Sequence, residues 1–106
     1  LEVVKFLVTN NAATNQAQND GATPLCLASS KNHLEVVKFL VSNNAEINQA
    51  GYHEATPLYI ASEDNHLELV KYLVSNNAAI NQADENEATP LFTASESNNL
   101  EVVKFL

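Results

Sequence analysis

Apolar residues return along the chain in short clusters at one fixed spacing. Leu1-Glu2-Val3-Val4, Leu34-Glu35-Val36-Val37, Leu67-Glu68-Leu69-Val70 and Leu100-Glu101-Val102-Val103 stand 33 residues apart, as do Thr23-Pro24-Leu25, Thr56-Pro57-Leu58 and Thr89-Pro90-Leu91. The three Thr-Pro-Leu tripeptides hold all 3 prolines of the chain. Two motifs in phase at one period mark a repeat architecture, in which a unit cannot bury its apolar face until a neighbour stacks on it.

Each unit carries the signals of two helices. Threonine caps a helix N-terminus, and proline suits the first helical position, where its missing N–H leaves nothing unpaired. A first helix is therefore expected from Pro24 to about Lys31. Asn32 fits either of two roles: closing that helix in a left-handed conformation, or capping the next with Glu35 three residues on. The second helix, Leu34 to about Asn43, has polar residues only at Glu35, Lys38 and Ser42. That narrow stripe faces water; the apolar remainder needs cover on several sides, which adjacent units supply. Asn44 stands where the chain turns back, since asparagine tolerates positive φ better than any residue but glycine. Residues 47–55 have no helical pattern and read as a finger between units. By the same pattern Leu1 to Val8 is helical and ends at Asn10-Asn11-Ala12. The reading is one array: a partial unit at 1–17, complete units at 18–50 and 51–83, and a partial unit at 84–106.

Composition narrows the partner classes. The 106 residues are 45% hydrophobic, normal for a folded chain, and no apolar run approaches the length of a membrane span. No basic-then-apolar leader appears, the single cysteine is Cys26, and no Asn-X-Ser/Thr acceptor occurs; an intracellular, cytoplasmic setting is expected. Five lysines, no arginine and thirteen acids give a net charge of −8. The basic footprint of a nucleic-acid binder is missing, and a basic protein surface is the natural complement.

The period, the Thr-Pro-Leu opening the first helix, the Leu-Glu-Val-Val opening the second and the closing Asn-Ala-X-Ile-Asn together resemble the ankyrin repeat over the whole chain. The resemblance implies an all-α repeat solenoid of helix-turn-helix units joined by β-hairpin-like fingers. It implies a protein-binding module that uses the finger tips and the inner surface of the first helices. Departures are systematic. The family's usual histidine after Thr-Pro-Leu is replaced by Cys26, Tyr59 and Phe92, so apolar or aromatic contacts should stand in for its polar network. Its glycines after the helices have become Asn32, Asn65 and Asn98, and Asn11, Asn44 and Asn77, at some expected loss of stability. The finger glycine survives as Gly21, with Glu54 and Glu87 at the equivalent places, and a turn shifted onto Gly51 is one way to accommodate that.

Comparing 18–50 with 51–83, eleven positions differ, and eight of them lie in two places. Four are the finger residues Gln18/Gly51, Asn19/Tyr52, Asp20/His53 and Gly21/Glu54; four are Cys26/Tyr59, Leu27/Ile60, Ser30/Glu63 and Lys31/Asp64 on the first helix. A constant scaffold with one variable surface suggests recognition there, although drift of unconstrained positions gives a similar pattern. The family's contact positions, carried across residue by residue, select nearly the same set. The candidate partner-binding residues are Asn19, Asp20, Lys31, Tyr52, His53, Tyr59, Glu63, Asp64, Glu85, Asn86 and Glu96. Acidity on this surface grows toward the C-terminus: Asp20 and Lys31 cancel, Glu54, Glu63 and Asp64 follow, then Asp84, Glu85, Glu87 and Glu96. Such a surface attracts a basic segment and speeds encounter. Tyr52, at a finger tip, is the best single anchor.

No catalytic, metal or cofactor constellation is evident. His33 and His66 sit at the turn into the second helix without ligand spacing around them, and His53 beside Glu54 lacks a pocket. Cys26 reads as a buried packing thiol, the acidic clusters lack a calcium loop, and there is no glycine-rich phosphate loop. The expectation is a non-enzymatic interaction scaffold that binds no nucleic acid, membrane or cofactor. Two alternatives stay open: a spacer or end-to-end self-associating segment of an array, and a regulatory module of a larger enzyme or channel.

Overall fold

The computed structural model describes Glu2 and residues 23–106. The expected helix at Leu1–Val8, the asparagine at position 11, the finger glycine at 21 and the candidates Asn19 and Asp20 lie outside the described residues.

Among the described residues six α-helices follow in pairs: α1 (Pro24–Ser30) with α2 (Leu34–Ser42), α3 (Pro57–Glu63) with α4 (Leu67–Ser75), and α5 (Pro90–Glu96) with α6 (Leu100–Phe105). Each odd-numbered helix starts as its sequence dictates. Thr23 Oγ1 accepts from the Cys26 N–H at 3.1 Å, Thr56 from Tyr59 at 3.1 Å and Thr89 from Phe92 at 3.2 Å, each with proline at the first helical position. Such caps are worth about 1 kcal/mol apiece.

The helices end through asparagine. Asn32, Asn65 and Asn98 have φ of 55°, 59° and 60°, and Asn44 and Asn77 have 72° and 71°. Around Asn32 the His33 N–H bonds Ala28 O at 2.9 Å and the Asn32 N–H bonds Ser29 O at 3.2 Å. Around Asn44 the Ala45 N–H bonds Leu40 O at 3.0 Å and the Asn44 N–H bonds Val41 O at 3.1 Å. These are the paired closing bonds of a Schellman motif, with asparagine supplying the left-handed residue that glycine usually provides. Of the two roles open to Asn32, the structure takes the first. The following helix starts at Leu34, after His33, whose side chain makes no cap bond.

Burial explains why the pairs stack. Leu58, Leu69, Val70 and Leu73 are at most 1% exposed and share one core with Leu25, Val37, Leu40, Ala61, Ala94 and Val102. Each such side chain contributes on the order of 1.5–3 kcal/mol. Glu35, Lys38 and Ser42 form the wet stripe of α2, while Val37 and Leu40 are buried and Leu34, Val36, Phe39 and Val41 half-buried. The odd-numbered helices pack against one another along the stack, α1 on α3 and α3 on α5, more closely than α4 does on α6. The stack therefore splays on its second-helix side, and the first helices lie along the tighter face.

Among the described residues no segment forms a strand. The connectors are turns tied to the next unit: Asn48 Oδ1 accepts from the Ala79 N–H at 2.8 Å, and Gln82 Nε2 donates to Asn48 O at 3.3 Å.

Candidate functional site

The finger turns decide where the variable side chains point, and they differ between units. At the last finger Asp84 Oδ1 accepts from the N–H groups of both Asn86 and Ala88 at 2.9 Å. The Glu87 N–H bonds Asp84 O at 3.1 Å, leaving only Glu87 left-handed at φ 66°. The preceding finger has Gly51 where Asp84 stands and so has no carboxylate to gather those donors. Its turn has two left-handed residues instead of one: His53 and Glu54 lie at φ 58° and 63°, and the Ala55 N–H bonds Tyr52 O at 3.2 Å. Gly51 opens this turn, its O accepting from the Glu54 N–H at 3.1 Å and its N–H donating to Ala55 O at 2.8 Å. Gly51 has φ −107°, and the positive φ falls on His53 and Glu54. Turning this way raises Tyr52, 58% exposed, with its ring edge-on to the His53 imidazole at 4.0 Å between centroids.

The two fingers are joined. The Glu85 N–H donates to His53 O at 3.1 Å, and His53 Nδ1 meets Glu85 Oε1 at 2.5 Å. The expected neighbour of His53 was Glu54, beside it in sequence; its partner in space is Glu85, one unit on.

Below this junction lies an open groove of about 450 Å³. Seven of the nine described candidates line it: Tyr52, His53, Tyr59, Glu63, Asp64, Glu85 and Asn86. Lys31 is exposed at the end of α1 and Glu96 at the end of α5, and neither lines the groove. Four lining residues were not among the candidates: Ser30, Ala55, Ile60 and Asp84. For Asp84 a signal existed in sequence, because an aspartate two and four residues before backbone donors is a common turn starter.

The groove is electrostatically one-sided. Partial burial raises the Glu63 carboxyl above the usual range, and Asp64, Asp84 and Glu96 push it the same way. Asp84 is lowered, first by the Ala88 N–H it accepts and further by the Asn86 N–H, the Tyr59 hydroxyl and the charge of His53, against a smaller desolvation effect. The Tyr59 hydroxyl is raised by burial, with Thr93 opposing and Asp84 and Glu63 adding to the rise. A bound cation would relieve the repulsion around Glu63.

Elsewhere the expected chemistry is partly redrawn. Cys26 is 3% exposed and its thiol is raised by burial. Its Sγ also lies 3.6 Å from Gln49 O and 3.8 Å from Ala55 O, so a weak polar link to the next finger remains where apolar contacts alone were expected. His33 and His66 precede α2 and α4 without cap bonds, whereas Asn99 at the equivalent place donates through Nδ2 to Ser62 O at 2.8 Å and Glu63 O at 3.0 Å. Among the described residues no group of three or more histidine, cysteine or acidic side chains is placed to hold a metal ion, and no helix is long and apolar enough to cross a membrane.

A family model described as ankyrin repeats (3 copies) matches residues 1–51 and 49–106. No curated protein matches the chain with significant similarity.

Proposed function

Because the chain belongs to the ankyrin-repeat family, whose members are generally protein–protein interaction modules, we propose that it docks a partner with a basic surface on its fingers and first helices. The repeat boundaries expected at residues 50/51 and 83/84 put the groove at the junction of two units, where hairpin-like fingers and a first helix converge. One observation carries the reading: Tyr52 and His53 from one finger, Tyr59, Glu63 and Asp64 from α3, and Glu85 and Asn86 from the next finger converge on a single groove. The apolar body of Tyr52 offers an anchor, and the surrounding carboxylates select for positive charge.

A displayed library of random peptides panned against the chain tests this. Enriched peptides should carry net positive charge. Their affinity should fall at least about tenfold when Tyr52→Ala is combined with Glu63→Lys and Asp64→Lys. Enrichment of neutral or acidic peptides, or affinity unchanged in the triple variant, overturns the proposal.

A further inference from the structure

We propose that the groove receives an arginine side chain of the partner, which displaces His53 from the Glu85 carboxylate. This deepens the docking reading above and rests on it. The lining of the groove is largely apolar, with Tyr52, Tyr59, Ala55 and Ile60 among the residues that line it beside Glu63, Asp64, Asp84 and Glu85. No described lysine lines it. Lys38, Lys71 and Lys104 are held by Glu35, Glu68 and Glu101 on the second helices, at 3.9, 3.8 and 3.8 Å, and Lys31 lies one unit earlier. Among the described residues His53 is therefore the one group on the groove able to carry positive charge, and it already occupies Glu85.

Among the described residues every charged neighbour of the imidazole is acidic. Glu85 faces it from the next finger and Glu54 follows it in the chain. Asp84 lies within electrostatic reach, and Glu63 and Asp64 line the α3 side of the groove. The Tyr52 ring lies 4.0 Å from the imidazole, centroid to centroid, with 61° between their planes. The imidazole thus makes in miniature the contacts a guanidinium would make: one to a carboxylate and one to an aromatic ring. Arginine makes both better, since its planar fork can bond both oxygens of Glu85 while its face lies on Tyr52. Displacement is feasible because the His53 and Glu85 side chains are 57% and 46% exposed, so the bridge between them is weak.

Arginine and the imidazole compete for one carboxylate, so a side chain at position 53 that leaves Glu85 free lets arginine bind more tightly.

Fluorescence anisotropy of a rhodamine-labelled hexa-arginine peptide with the whole chain tests this. His53→Asn, which tolerates the left-handed backbone, should bind about two- to fivefold tighter than wild type. Glu85→Gln should bind more weakly than wild type, and a hexa-citrulline peptide should not compete. Binding that depends on Tyr52 but is unchanged in His53→Asn or in Glu85→Gln overturns the displacement and leaves the docking reading standing. Hexa-arginine binding that Tyr52→Ala leaves unchanged removes both.

Discussion

Replacing Asn99 with alanine should uncouple the last helix pair from the rest of the array. The Asn99 side chain is 9% exposed and bridges units, donating to Ser62 O at 2.8 Å and Glu63 O at 3.0 Å. Both acceptors belong to the last turn of α3, whose carbonyls lack intrahelical donors. A hydrogen bond of this kind contributes about 0.5–1.5 kcal/mol net, so two give about 1–3 kcal/mol. Glu63 is exposed, so water reaches its carbonyl more readily than that of buried Ser62; about 2 kcal/mol is the expected loss. Stability in a repeat array is a sum of unit and interface terms, and this loss falls on one interface. Urea unfolding followed by far-ultraviolet circular dichroism should show a lowered midpoint. Native-state amide exchange should show where: α5 and α6 should exchange about 30-fold faster, following from 1.36 kcal/mol per decade, with α1 and α2 changed far less. A loss spread evenly over all six helices, or one below about 0.5 kcal/mol, would refute the interface argument.

Glu87→Gly should stabilise the fold by about 0.5–1 kcal/mol, because a left-handed β-carbon costs more than glycine's extra chain entropy. Glu87 stands at φ 66°, and thermal unfolding at or below the wild-type temperature would contradict the strain. Glu63→Gln should stabilise the chain at neutral pH, with the gain shrinking on acidification. The folded-state carboxyl is raised by burial and acidic neighbours, so its ionised form is penalised above that raised value and the penalty vanishes as the group protonates. Urea midpoints across a pH series check the sign, and a gain that grows on acidification would oppose it.

What could be read from residues alone follows the range of the interactions. Thr23, Thr56 and Thr89 cap helices through neighbours three residues away, and the asparagines close helices through bonds spanning five; both are local and legible. The groove was half legible. Tyr52, Tyr59 and Glu63 stood out because the units differ there, but Asp84 meets Tyr59 and Glu63 only once units stack. The link from His53 to Glu85 spans almost a whole unit, so adjacency pointed to Glu54 instead. Gly51 was legible as part of a turn, but not which residues there take the positive φ. A glycine beside a turn invites the positive φ, whereas its effect is to withhold the carboxylate that shapes the equivalent turn at Asp84. The Asn99 bridge was hidden because histidine fills the same place at His33 and His66 and makes no such bond.

The lysine pairs on the second helices have a consequence for the molecule as a whole. Each of Lys38, Lys71 and Lys104 cancels a glutamate one turn away, so that side of the stack is close to neutral, while Glu63, Asp64, Asp84 and Glu96 crowd the other. Charge separated across the thickness of the array is an electric dipole lying transverse to the stacking axis. In the field of an approaching cationic surface it would experience a torque that turns the groove forward before any contact forms, over a range of about 10 Å at moderate salt. The same dipole sets two copies at odds when their acidic sides meet. Orientation on approach is thereby a property of the repeated back as much as of the variable front.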